Sequence, residues 1–231
     1  MPQPVIATRQ PAAPPRVVAI SGIIFASLYT VSVVLVRLAV PADPTEPGTW
    51  LADRAVRDGV QTALSLIPFT GIAFLWFMAV LRNRIGLLED RFYATVFLGS
   101  GLLFVAMLFA AAAVSKGLFD TFATAGKFPG QSDVYSVCRS TTHTLMHTFA
   151  VKMAAVFMFV TSSIGLRTAV LARWVSFIGF AAGLAMLLVI TDFAWIALLF
   201  PAWVLLVSVY ILVMDFRQGM RAEAIDEKTA P

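Results

Sequence analysis

Cysteine occurs once in this chain of 231 residues, at Cys138. That excludes an internal disulfide and any metal site built from several cysteines. Histidine occurs only twice, and charged residues make up 13% of the chain, where soluble proteins approach roughly a quarter. Catalytic signatures are also missing. There is no Gly-x-Ser-x-Gly turn, no glycine loop for phosphate and no carboxylate pair inside an apolar run, so acyl and phosphoryl transfer find no support in the sequence. The net charge of +4 is spread between apolar runs rather than gathered into a patch, which argues against a nucleic-acid partner.

Long, nearly uncharged runs take the place of these features. Five of them reach 20 residues or more, and the last, Trp174 to Met214, covers 41. A hydrocarbon core about 30 Å thick is crossed by roughly 20 apolar residues of helix, so the last run is long enough to cross twice. The sequence therefore predicts an all-α membrane bundle of six transmembrane helices, over residues 17–36, 60–81, 92–114, 143–166, 174–190 and 193–214. A disordered, proline-rich tail (1–16) precedes it and a charged tail (215–231) follows. The first run is too long for the core of a cleavable leader, and Arg37 interrupts the approach to any cleavage site, so it reads as a retained helix.

The connections differ in character. Residues from Thr49, with Trp50, Leu51, Ala55 and Val56 set against Asp53, Arg54, Arg57 and Asp58, read as a short amphipathic helix at the interface. Residues 115–142 form the longest link, with Leu118, Phe119, Phe122 and Phe128 as apolar anchors for a segment lying on the membrane. Pro68 is expected to kink the second span. Pro201 is its only counterpart in the other half and a faint hint of a transporter's broken helices. Asp192 suits the N-cap of the last span. Alternating the links puts ten Lys and Arg with the two tails and six on the opposite side. Positive charge favours the cytoplasm, which places both termini there.

Small residues mark where membrane helices meet. Gly179 and Gly183 form such a pair, suited to packing within the bundle or to a homo-oligomer. In the first span Gly22, Ala26, Thr30, Val33 and Arg37 share a face. In the fourth, at about 100° per residue, His143 and His147 fall with Ala150, Ala154, Thr161 and Gly165. Lys152 then lies on the opposite, bulky face, where snorkelling along lipid is the expected behaviour. Arg37, Asp58, His143, His147 and Asp192 fall at similar depth and form a candidate ligand-binding cluster. His143-x-x-x-His147 also has a spacing that suits a divalent metal, with Cys138 or Asp192 as a third ligand, or haem through one histidine and a methionine. Neither cofactor is favoured, because no glutamate lies between the histidines and the spacing arises readily by chance.

The run Phe200-Pro-Ala-Trp-Val-Leu-Leu-Val-Ser-Val-Tyr, following Arg173-Trp174, resembles the C-terminal half of uncharacterised bacterial integral membrane proteins. The resemblance implies a small multi-pass bundle in a bacterial inner membrane and assigns no functional residue. The leading expectation is an accessory or scaffold subunit of a membrane complex, in contact with lipids and without catalysis of its own. A transporter or small-ligand binder and a haem- or metal-binding redox protein are the alternatives.

Overall fold

A computed structural model describes residues 15–40, 49–85, 91–125, 133–168, 170–188 and 195–229. Among the described residues seven α-helices run in order: α1 (Pro15–Ala39), α2 (Arg54–Ile85), α3 (Arg91–Ala125), α4 (Asp133–His143), α5 (Val151–Thr168), α6 (Arg173–Leu188) and α7 (Leu199–Thr229). A π-helical stretch, Thr144–Ala150, joins α4 to α5, and short 3₁₀ turns, Thr49–Ala52 and Ile196–Leu198, precede α2 and α7. No strand occurs among the described residues.

Among the described residues five helical segments are long and apolar enough to cross a membrane: residues 19–39, 54–83, 91–121, 133–168 (α4 through α5) and 196–217. The sixth apolar segment, α6, has 16 residues and is therefore about 24 Å long. The chain is a multi-pass membrane protein by the length and composition of these helices, because an isolated helix is one of the few structures that satisfies its own backbone in lipid.

Several elements differ from the sequence expectation, each for a local reason. The separate amphipathic helix after Thr49 is a single 3₁₀ turn, and residues 54–59 belong to α2. Asp53 sets that boundary: its Oδ1 accepts the N–H groups of Ala55 at 2.8 Å and Val56 at 3.5 Å, the arrangement of an N-cap carboxylate. The long link over 115–142 is mostly helix, since α3 continues to Ala125 and α4 begins at Asp133. Helix α2 runs through Pro68 without a break. Pro201 falls in the first turn of α7, where proline is tolerated. The expected capping role of Asp192 and the anchor at Phe128 fall outside the described residues.

The largest departure concerns Lys152. It is half-buried between α5 and α6, and its ammonium donates to the carbonyls of Met186 at 3.0 Å and Leu187 at 2.6 Å. These belong to the last turn of α6, whose carbonyls have no intrahelical donor. A cation there also meets the negative end of the helix dipole. The helical-wheel reading failed because it took the face of Lys152 and Phe159 for a lipid face, whereas α6 packs on it: Phe159 lies against Gly183 and its ring centroid is 5.5 Å from that of Phe180. Ala154, Thr161 and Gly165, on the other side of α5, are buried as expected.

The interior is aromatic. Phe25 of α1, Phe74 of α2, Phe104 of α3, Phe157 of α5 and Phe200 of α7 are all buried. Phe74 is the hub, with ring centroids 4.9 Å from Phe25, 5.2 Å from Phe104, 5.2 Å from Phe157 and 5.6 Å from Phe200. Around this hub α1 packs mainly on α2 and α7, and α5 on α6 and α3. Outward-facing residues are also apolar, among them Phe69, Ile72 and Trp76 on α2 and Phe177, Ile178 and Leu184 on α6, as a lipid-facing surface requires.

Two glycines show how closely the helices approach. A methyl group on Gly22 would overlap the Ser208 hydroxyl and the Phe77 ring. One on Gly179 would overlap the Ser162 hydroxyl and the indole nitrogen of Trp203. Gly183 faces Phe159 and the Ala155 carbonyl. The Gly179/Gly183 face considered for a second copy is thus occupied by α5 and α7 of the same chain. Gly179→Ala is expected to lower the stability of the detergent-purified protein by about 1–3 kcal/mol. Gly99→Ala, where a methyl meets open space, should leave the melting temperature unchanged in the same assay. Equal melting of both variants would contradict this packing.

Candidate functional site

The two histidines and Arg37 meet where the π-helical stretch passes the end of α1. Arg37 lies in the last turn of α1. Its Nη2 contacts Nε2 of His147, which sits inside the π-helical stretch. The other ring nitrogen, Nδ1, lies 3.3 Å from the carbonyl of His143. A guanidinium only donates and a carbonyl only accepts. The two contacts together therefore select the neutral imidazole with its proton on Nδ1 and its lone pair on Nε2. Protonation of Nε2 would set an N–H against the guanidinium.

His143 and His147 stack face to face, with ring centroids 4.3 Å apart and planes 9° from parallel. They sit at i and i+4 around the start of the π-helical stretch, so one imidazole lies over the next. Stacking bears on the metal and haem alternatives. A metal lies in the plane of each imidazole it binds, and these planes run side by side rather than converging. Both nitrogens of His147 also face protein groups. Among the described residues no group of three His, Cys, Asp or Glu is placed to share a metal ion. Cys138 instead packs against a separate apolar cluster.

That cluster forms a cap at the same end of the bundle. It joins Leu51 of the 3₁₀ turn, Val60 of α2, Leu118 and Phe119 of α3 and Tyr135 of α4. The Tyr135 hydroxyl accepts two hydrogen bonds, from Trp50 Nε1 at 3.0 Å and from Arg139 Nη1 at 3.1 Å. Arg57 donates to the Leu51 carbonyl, and Ser115 and Thr142 share a hydrogen bond of 3.2 Å between α3 and α4. These contacts hold α4 and the π-helical stretch against α2 and α3. The sequence reading missed the Trp50–Tyr135–Arg139 group. Its partners lie 85 residues apart, and only the i, i+4 spacing of Tyr135 and Arg139 hinted at it.

Of the five residues proposed for a cluster, the structure brings together Arg37, His143 and His147. Asp58 lies on an exposed part of the first turns of α2, where its carbonyl accepts from Thr62 at 2.8 Å. Among the described residues its carboxylate meets none of the other four. Asp192 lies outside the described residues.

Comparison of the chain with protein-family models, curated proteins and solved structures finds no match. The site therefore stands on its own geometry. His147→Ala removes the acceptor that faces Arg37 in a half-buried setting. It is expected to lower stability by about 1–3 kcal/mol, read as a lower melting temperature in detergent. An unchanged melting temperature would show that the contact carries no stability.

Proposed function

We propose that this chain is a six-pass protein of a bacterial inner membrane, with both termini in the cytoplasm, acting as an accessory or scaffold subunit without conduction or catalysis of its own. The observation that carries this reading is the filled interior. Four phenylalanines from four other helices meet around Phe74 with centroid separations of 4.9 to 5.6 Å from that hub. A conduction path would need polar groups lining that axis. The absence of catalytic motifs from the sequence points the same way. For the sixth pass, support comes from the apolar outward face of α6 and from Lys152, which satisfies the end of a helix too short to reach far beyond lipid. Support for orientation comes from the ten-to-six distribution of Lys and Arg.

A second reading, a small-ligand binder, draws on the Arg37–His147 contact, because π-helical turns inside α-helices occur frequently at functional sites. It would use Arg37, His143 and His147, in a polar spot at one end of the bundle.

Two measurements test the proposal. Single cysteines are placed at Asp133, Arg173 and Trp195 in a Cys138→Ser background and exposed to an impermeant maleimide on intact spheroplasts. Residues 133 and 195 should label from outside and 173 only after lysis. Labelling of 173 and 195 from the same side would remove the sixth pass. Purification in mild detergent should recover the chain within a larger complex. A lone monomer carrying a specific bound metabolite would replace the scaffold reading with the second one.

A further inference from the structure

The end of the bundle that carries the C-terminus of α2 and the N-terminus of α3 has an unbalanced charge. By the up-and-down order of the helices it collects Arg82, Arg91, Arg167, Arg173 and Arg217, with Asp215 nearby; over the full sequence the links and tails on this side hold ten Lys and Arg against six Asp and Glu. The other end is mixed, with Asp53, Asp58, Asp120 and Asp133 among Arg37, Arg54, Arg57, Lys116 and Arg139. Arg167 is engaged, its guanidinium 4.4 Å from the centroid of the Tyr93 ring. Arg82 is exposed and makes no hydrogen bond or ion pair with the described residues.

Arg82 stands at the mouth of a groove of about 220 Å³ between α2 and α3, lined by Met78, Ala79, Arg82, Asn83 and Leu98. The lining is ordered along the helix axis. Residues four apart on a helix stack in columns, so Arg82 stands one turn beyond Met78, and Asn83 one turn beyond Ala79. Leu98 forms the facing wall from α3. The turn deeper in the bundle is therefore apolar and the terminal turn carries a cation and an amide donor. This is the profile of an amphiphile with an anionic head: a phosphodiester against Arg82 and Asn83, and the first carbons of an acyl chain against Met78, Ala79 and Leu98. Basic pockets between membrane helices on the cytoplasmic side bind anionic lipid headgroups, and the orientation proposed above, on which this comparison rests, puts the groove there.

We propose that the α2–α3 groove is a binding site for one anionic phospholipid, with Arg82 and Asn83 holding the phosphate. Charge complementarity and the apolar-to-polar order of the lining select this occupant. A free phosphate would leave the apolar turn unused, and a zwitterionic lipid would bring a fixed ammonium beside its phosphate, against Arg82 and the surplus of arginines at this end.

The test uses full-length protein, delipidated in mild detergent and titrated with phosphatidylglycerol or phosphatidylcholine of identical acyl chains. Bound lipid is counted by native mass spectrometry. The wild type should retain one phosphatidylglycerol in preference to phosphatidylcholine. Arg82→Ala should weaken that retention about fivefold, Arg82→Lys should keep most of it, and Arg217→Ala at the same end should leave it unchanged. Ala79→Trp, which fills the apolar turn from an exposed position, should displace the lipid with Arg82 intact. It separates the groove from surface charge even if Arg82→Ala fails to fold. Equal retention of the two lipids by the wild type, full retention in Ala79→Trp, or displacement by equimolar glycerol phosphate would each overturn the proposal.

Discussion

In hydrocarbon every backbone N–H and C=O needs a partner inside the protein, and the organisation of this chain follows from that constraint. Helix interiors meet it by themselves; helix ends do not. Asp53 supplies acceptors for the first N–H groups of α2, and Lys152 supplies donors for the last carbonyls of α6. Side-chain hydroxyls follow the same economy. Ser21, Thr70, Ser100, Ser163 and Ser208 each bond back to a carbonyl one turn earlier, so they sit within lipid-exposed or tightly packed helices without open polar groups. Ser162, Ser176 and Trp203 depart from it, their polar atoms buried with no hydrogen-bond partner among the described residues; the Ser162 hydroxyl and the Trp203 indole nitrogen both lie against Gly179 of α6.

Lipid tails are as apolar as leucine, so these helices gain little from hiding apolar surface and must associate through close packing. Large and small residues divide that task. Phenylalanines fill the centre, where edge-on and tilted ring pairs are each worth about 0.5–1.5 kcal/mol beyond area alone. Glycines at 22 and 179 let neighbouring helices approach at the periphery of that hub. The polar end holding Arg37 and the histidines lies outside the hub, at the end of the bundle where Trp50, Leu51 and Tyr135 also gather. Aromatic core and polar spot are separate regions on shared helices.

The apolar spans were legible because bilayer thickness writes directly into run length: residues 17–36, 60–81 and 92–114 all fall inside α1, α2 and α3. Helix ends were harder to read. The polar turns at Arg54–Gly59 and Ser115–Ala125 continue their helices past the apolar run, where residue type no longer reports on helix. The pairing of Arg37 with His147 followed from their common depth. The stacking of His143 on His147 did not, because no residue between 144 and 150 announces a π-helical turn. The position of Lys152 did not either, because bulky apolar residues such as Phe159 face a neighbouring helix as readily as they face lipid. Asp58 was assigned by depth alone, and depth says nothing about which side of a helix a residue occupies.

The hold of Lys152 on α6 has a consequence for the two helices it joins. Because its ammonium reaches two carbonyls of α6 from a side chain of α5, the pair cannot slide along each other without stranding a charge and two acceptors in an apolar setting. One cation thus latches the register of these helices, where their other contacts resist slippage by shape alone.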